Sequence, residues 1–403
     1  MKITFFVPNN IVMIETYMIT QIKDFINRGF EVKIYSFGKL KSHEQFYDEQ
    51  YPQFKETISL SPPTNDLKKI KEIFSLFIKS KKKLKILKSL NSKKFPFLSK
   101  KLYLFYYALR FENIETPDLA ICHFGHIGNI LANLKEIGFI NFPFITFFHG
   151  FDFNVLVKKF GIRFYQHLIN SETLIFAVSE NLYVNMIDAG FNIDFTKIHT
   201  MAVDPIFLSS ESNLDRFKNI EKLKIVTVAR LEEIKGVQFA LKAMKLLSDK
   251  KNNFEYTLVG DGKYRMELEN LAIRLDIEEK VKFVGIKNKF EIKEILDSNH
   301  IFILPSIVKE GSPIVLREAM ARNVFCIGTN KGGTVALIEG TGFIVESKNE
   351  EEIYKAIISF KKFNFDDLIN TKLFPARKKI ESQFNIENLN PKLLDELKIR
   401  NIL

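Results

Sequence analysis

In the stretch PSIVKEGSPIVLREAMA (305–321), Glu310 and Glu318 stand eight positions apart, separated by a Gly311-Ser312-Pro313 turn and an apolar run. The preceding HIFILPS reads as a strand and IVKEG as a loop. Ser312 and Pro313 then suit the N-cap and first residue of a helix PIVLREAMAR. Glu310 would lie on a loop at the strand edge, and Glu318 about 7–8 Å along the helix from Pro313 at 1.5 Å per residue. Two chemistries fit Glu318. It can pair with Arg322 on the surface, at i,i+4 and in the favourable charge order. Or it can face a ligand and accept hydrogen bonds from paired hydroxyls such as a ribose diol, because a carboxylate held out of bulk water needs its oxygens satisfied.

Other candidates also follow strands. After KIVTV come Arg230 and Lys235, with Gly236 opening a helix. Two cations beside a helix N-terminus make an anion site; as exposed loop charges they would do nothing of the kind. The GDG at 260–262 is only a fragment of a dinucleotide fingerprint, and no P-loop lysine motif accompanies it. After FITFF comes His149-Gly150-Phe151-Asp152, and His123 ends LAICH one candidate strand earlier. Histidine near neutrality donates or accepts a hydrogen bond, although either ring could equally be a satisfied strand-end side chain. The further ligand that a zinc site requires is not visible.

These residues need a scaffold of strand ends. Short β-rich runs (ITFFVP, EVKIYSF, LAICHFG, FITFFHG, TLIFAVS, IHTMAV) alternate with helical stretches closed by glycine. The pattern restarts with LKIVTVARL, FEYTLVG, VKFVG, HIFILPS, VFCIGT and GFIVES. Strands apolar on both faces and joined by helices mean parallel sheets. The expectation is an α/β chain of two doubly wound units, with ligands outside the carboxyl ends of the strands. The N-terminal domain is placed at 1–205, a joint at 206–222, the second domain at 223–383 and a final helix at 384–403.

At 403 residues and 46% apolar composition the chain can bury two or three ordinary cores. Its two cysteines, Cys122 and Cys326, lie in apolar runs without CxxC spacing, which points to a reducing compartment rather than a disulfide framework. MKITFFVPNN is too short an apolar stretch for a secretory leader, and no run is long enough to span a bilayer. The net charge of +11 is concentrated. Between Lys68 and Lys101 thirteen lysines face one acid, Glu72, leaving the rest of the chain close to neutral. That basic insert, within about 60–110, interleaves lysine with Ile, Leu and Phe. It suits an anionic membrane surface through Lys79, Lys81, Lys82, Lys83, Lys85, Lys88, Lys93 and Lys94. A solvated helix face is the plainer reading, and no nucleic-acid motif accompanies the charge.

Taken in order, RLEEIKG, LVGDG, VKFVG, PSIVKEG, the E-x7-E pair, EAMA, GG at 332–333 and TGFIV resemble the nucleotide-sugar half of retaining glycosyltransferases of the family 4 kind. ETYMITQI, HFG, FFHGFD, AVSENL and MAVDPIF resemble, more loosely, members that build exopolysaccharide and O-antigen. The resemblance covers about residues 1–360 and implies a GT-B fold, two Rossmann-like domains facing across a cleft. It implies that Arg230 and Lys235 neutralise the donor diphosphate and that Glu310 binds hydroxyls of the transferred sugar. Glu318 would hold the ribose, with Gly311, Ser312, Pro313, Gly260 and Gly262 around the donor. His149 would lie near the transferred sugar, with Asp152 supporting its loop and His123 and Glu15 on the acceptor side.

The implied reaction is retaining transfer of a hexose from a nucleotide sugar, UDP first and GDP next, to a lipid-linked or growing polysaccharide acceptor. No metal or other cofactor is expected, and no nucleic-acid partner. The implied location is cytoplasmic, peripheral at the inner membrane face. A nucleotide-sugar epimerase of the same fold, or a non-catalytic partner subunit, are the alternatives. Three positions depart from the family pattern: Ala336 replaces a common acid, Ala202 a common glycine, and PNNIVMIET a glycine-rich loop.

Overall fold

Strands with apolar side chains on both faces require helices over both faces, and each half of the chain meets that requirement separately. The computed structural model describes residues 1–8, 16–38, 54–209 and 212–402. Two compact units result: Met1–Met201 with Leu389–Leu403, and Ala202–Asn388.

The first unit holds β1 (Lys2–Val7), β2 (Glu31–Ser36), β3 (Ile58–Ser59), β4 (Leu119–His123), β5 (Phe144–Phe148), β6 (Ile175–Ala177) and β7 (Thr196–Ile198). They form one parallel sheet in the order β3-β2-β1-β4-β5-β6-β7. Phe5, Phe6, Ile121, Phe147 and Phe148 are fully buried in it. The insert after β3 supplies helices Asp66–Lys79, Lys83–Leu87 and Tyr103–Phe111. Leu389–Leu403 belongs to this unit, where Asn390 Nδ2 donates to Asp24 at 2.6 Å and Arg400 to the Asp194 carbonyl at 2.6 Å.

The second unit holds β8 (Leu223–Val228), β9 (Phe254–Val259), β10 (Val281–Gly285), β11 (Ile301–Leu304), β12 (Phe325–Thr329) and β13 (Phe343–Val345). Their order is β10-β9-β8-β11-β12-β13, again all parallel. Strand alternation splits the core. Ile225, Leu258, Ile303 and Ile327 pack with helix Val237–Asp249 on one face. Val226, Val228, Phe302 and Leu304 pack with helix Ile314–Ala321 on the other. Both sheets are doubly wound, and the order reverses between β1 and β4 and between β8 and β11, where such sheets bind ligands.

The stretch 206–222, read as a joint, differs from that reading. Phe207 and Phe217 are buried in the second unit's core, hidden in sequence by the polar residues around them. The helix after Glu310 also differs: it runs Ile314–Ala321 with Pro313, not Ser312, at the N-cap. Pro313 has extended backbone (ψ 107°) and no side chain caps the helix.

Backbone approach in the loop after β9 gives a stability test. Gly260 has φ +124°, and a Cβ there would come within 3.0 Å of the Ala229 carbonyl oxygen. Gly340, at φ +79°, has open space instead. Gly260→Ala should lower stability by about 2–4 kcal/mol, combining backbone strain and overpacking. Gly340→Ala should cost about 1 kcal/mol, the strain alone. Urea denaturation midpoints of the two variants check the ranking.

Candidate active site

In the second unit the loops after β8, β11 and β12 converge on Glu310. Its Oε1 accepts from Lys235 Nζ at 2.7 Å and from Ser306 Oγ at 2.6 Å. Both members of the ion pair are mostly buried, Lys235 20% and Glu310 17% exposed at the side chain. The Glu310 backbone is held as well: it bridges to Gly332, and its carbonyl accepts from Gly333 N at 2.8 Å. A Cβ on Gly332 would come within 3.0 Å of that carbonyl oxygen, so the paired glycines permit the approach. Thr329 Oγ1 donates to the Ser306 carbonyl at 2.6 Å, and Ile307 N to the Ile234 carbonyl at 3.0 Å, which ties the three loops together.

Arg230 projects from the same edge, 74% exposed, with only Glu232 beside it at 3.1 Å among the described residues. The GDG stretch supports it from below. Leu231 N donates to the Asp261 carbonyl at 2.9 Å, and Gly260 and Gly262 pack on the Ala229 and Leu231 carbonyls. Their visible role is thus to position the Arg230 loop. Gly311 and Ser312 occupy the turn between Glu310 and the helix.

Glu318 is 4% exposed. The surface pair with Arg322 does not form: that guanidinium donates to Asp297 at 2.7 Å and to the Phe207 carbonyl at 3.1 Å. The Glu318 carboxylate has no hydrogen bond or ion pair among the described residues. Burial, with the Asp204 carboxylate nearby adding to it, pushes its pKa up to about 8. Asp204 is satisfied by Ile206 N at 3.1 Å and Lys289 Nζ at 2.9 Å. A nearly buried acid without a partner is poised to accept hydrogen bonds from a ligand.

In the first unit the two expected histidines meet: His123 Nδ1 and His149 Nε2 lie 3.1 Å apart. Burial lowers the pKa of His123 to about 3 and holds His149 well below the usual range, so both rings are neutral at pH 7. His123 is stacked between Phe5 and Phe147, and Tyr17 lies against His149. Asp152 is fully buried and accepts from Gly125 N at 2.6 Å and His149 N at 3.0 Å. Burial raises its pKa to about 6 against those backbone donors. Glu15 lies outside the described residues.

Sequence reasoning missed Ser306, Asp204 and the Phe124-Gly125 turn. Ser306 stands four residues before Glu310 and just past a strand, a signal that could have been read. Phe124 takes φ +76°, strain that no composition reveals. The basic insert is only partly free: Lys85 donates to the Gly138 carbonyl, Lys82 lies over Phe139, and Lys94 pairs with Glu136. Among the described residues no helix is long and apolar enough to cross a membrane, and no cluster of three or more His, Cys, Asp or Glu could hold a metal.

Comparison with known proteins decides what this edge belongs to. Residues 211–367, which contain Arg230, Lys235, Glu310 and Glu318, match the family described as glycosyl transferases group 1. They are a group 1 glycosyltransferase domain. The whole chain is 29% identical to the amylovoran biosynthesis glycosyltransferase AmsK of Erwinia amylovora, over 96% of each chain. Over 35% of its length it is 28% identical to an Escherichia coli enzyme named UDP-Gal:alpha-D-GlcNAc-diphosphoundecaprenol alpha-1,3-galactosyltransferase, of which that match covers 35%. Among solved structures it resembles Anabaena HepE in complex with UDP, with TM-score 0.71 and 18% identity over 99% of this chain and 100% of that one. The fold is GT-B.

The Glu318 geometry carries a pH signature in the unliganded protein. Its folded pKa of about 8 exceeds the ordinary carboxylate value near 4.3. From about pH 5 to pH 8 the folded state therefore holds a proton that the unfolded chain has lost, and stability falls as pH rises. Glu318→Gln lacks that proton. The stability difference between variant and wild type should move in the variant's favour by at least ~1 kcal/mol between pH 5 and pH 8.5. Denaturant titrations at the two pH values check it.

Proposed function

We propose that this glycosyltransferase moves a hexose from a UDP-sugar to a lipid-linked acceptor during exopolysaccharide assembly, with retention at the anomeric carbon and without a metal. The observation that carries the reading is Glu318, a buried carboxyl without a partner among the described residues, on the helix that follows Glu310 of the Lys235–Glu310–Ser306 array. Such a group fits a ribose diol, whose two hydroxyls would supply the missing donors. Arg230 and Lys235 would take the diphosphate, whose growing negative charge is what the transition state needs stabilised. Glu310 would accept from hydroxyls of the sugar, and its fixed backbone would hold that acceptor in place.

The chemistry breaks the bond between the anomeric carbon and the diphosphate oxygen and forms one to an acceptor hydroxyl on the same face. The departing phosphate is a suitable base for the acceptor proton, so no carboxylate nucleophile is required. Two cations do the work that a metal ion would otherwise do. His149, neutral and backed by His123, is the uncharged polar group that the first unit offers to a sugar hydroxyl.

The names of the relatives support the finer choices. AmsK is named for amylovoran biosynthesis, HepE was solved with UDP-glucose, and the E. coli galactosyltransferase is named for a UDP-sugar and a diphosphoundecaprenol acceptor. A lipid-linked acceptor would bring the enzyme to the inner membrane face.

Thermal melting with UDP, GDP, ADP and CDP tests the donor. UDP should raise the midpoint with concentration, by the equivalent of about 2.7 kcal/mol at a hundredfold excess over Kd. Glu318→Ala should abolish the shift. Arg230→Ala combined with Lys235→Ala should reduce radiolabelled sugar transfer by about 10²-fold or more. Undiminished transfer by that double variant would defeat the assignment, and inertness to every nucleotide would make the chain a non-catalytic subunit. The anomeric configuration of the product, read by NMR, checks retention.

A further inference from the structure

Helix Asp66–Lys79 is built the wrong way round for a helix on a water-facing surface. Asn65 caps it, accepting from Lys68 N at 3.1 Å. Its inward side carries charge as well as apolar groups. Lys69 is buried over the Tyr103 ring at 4.1 Å, and Glu72 accepts from Tyr106 Oη at 3.0 Å and Arg110 Nη1 at 3.3 Å. Its outward side carries Leu67, Ile70, Phe74 and Ile78, which are 72%, 56%, 66% and 56% exposed. At 3.6 residues per turn these four fall within an arc of about 80°. The next turn of chain continues the pattern, with Leu84 82% exposed. A continuous exposed apolar stripe marks an interaction surface.

The charge around the stripe selects the partner. Lys68, Lys71, Lys79 and Lys81 flank it and make no ion pair among the described residues. A second copy of the chain would bring like charges together. A nucleic acid would satisfy the lysines and leave the apolar side chains in water. An anionic bilayer satisfies both at once, lysines at the headgroups and apolar side chains at the acyl boundary. The helix has 14 residues, about 21 Å, too short to cross a core of about 30 Å.

We propose that helix Asp66–Lys79 lies in the plane of an anionic bilayer surface, inserting Leu67, Ile70, Phe74 and Ile78, with the lysine-rich turn after it on the headgroups. The inserted side chains set the binding, and the lysines set the preference for anionic lipid. The proposal stands apart from the donor reading, since it is tested without nucleotide or acceptor.

The experiment is co-sedimentation of the full chain with vesicles of phosphatidylglycerol and phosphatidylcholine, and with phosphatidylcholine alone. The wild type should bind the anionic vesicles, less so at high salt, and the neutral ones poorly. Phe74→Ser with Ile78→Ser should weaken binding about tenfold or more, the loss of two inserted apolar side chains. Its melting midpoint should hold, because both positions are exposed. The chain has no tryptophan, so Phe74→Trp gives a single reporter. Its emission should move to the blue on anionic vesicles. Unchanged binding by the double serine variant, or an unmoved tryptophan emission, would overturn the proposal. So would concentration-dependent self-association abolished by the serines, which would assign the stripe to a second copy.

Discussion

The ion pair between Lys235 and Glu310 is the contact on which the rest of the second unit's edge depends. Lys235 follows β8, Glu310 follows β11, and the Gly332-Gly333 turn that grips the Glu310 backbone follows β12. Three adjacent strand ends therefore meet at one carboxylate, with Ser306 on the same oxygen. A pair this far out of water gains little net stability, since desolvation offsets most of its attraction. Its value lies in geometry: charge-assisted bonds at 2.6–2.7 Å fix the rotamers of both side chains. The bonds from Ile307 N to the Ile234 carbonyl and from the Thr329 hydroxyl to the Ser306 carbonyl stop the loops from sliding apart. A site that must receive a flexible ligand is best built on such a fixed frame.

Glu318 is the opposite case. Two charged groups near it are paired: Asp204 has a backbone amide and Lys289, and Arg322 has Asp297 and a carbonyl. The Glu318 carboxyl has no such partner among the described residues. Natural sequences break local consistency of this kind at functional positions, and the cost is carried by the surrounding core. Here that core is the helix's own apolar face, with Leu316, Ala319 and Met320 all buried against the sheet.

How much of this was legible in the sequence follows from what each signal encodes. Strands such as KIVTV and HIFIL announce themselves because parallel strands are apolar on both faces, and the doubly wound order follows from their alternation with helices. The Glu310–Glu318 spacing was visible too. What the sequence could not tell was which partner a side chain would choose. Arg322 is correctly spaced for Glu318, yet it goes to Asp297, which is distant in sequence and close in space. Ser312 has cap chemistry, but Pro313 starts the helix because its extended backbone already fills the N-cap position. Polar residues around Phe207 and Phe217 concealed two core contacts. In the basic insert the apolar period could be read but not its direction. Lys69 and Glu72 take the inner side because Tyr103, Tyr106 and Arg110 offer them partners there.

The two units divide the chemistry by charge. The second offers charged groups at its sheet edge: Arg230, Lys235 and Glu310. The first offers groups held neutral. His123 and His149 share a single hydrogen bond in which only one nitrogen can carry the proton, and burial among aromatic rings keeps either from becoming an imidazolium. His123 Nε2 and His126 Nδ1 are buried without partners. A charged ring could not be held there, whereas a neutral ring at His149 can donate to or accept from a hydroxyl. Asp152 completes the arrangement. It would repel an anion if exposed, but it is turned inward onto the Gly125 and His149 amides and spends its charge on the turn. Neutral donors and acceptors suit sugar hydroxyls, and fixed cations suit a diphosphate.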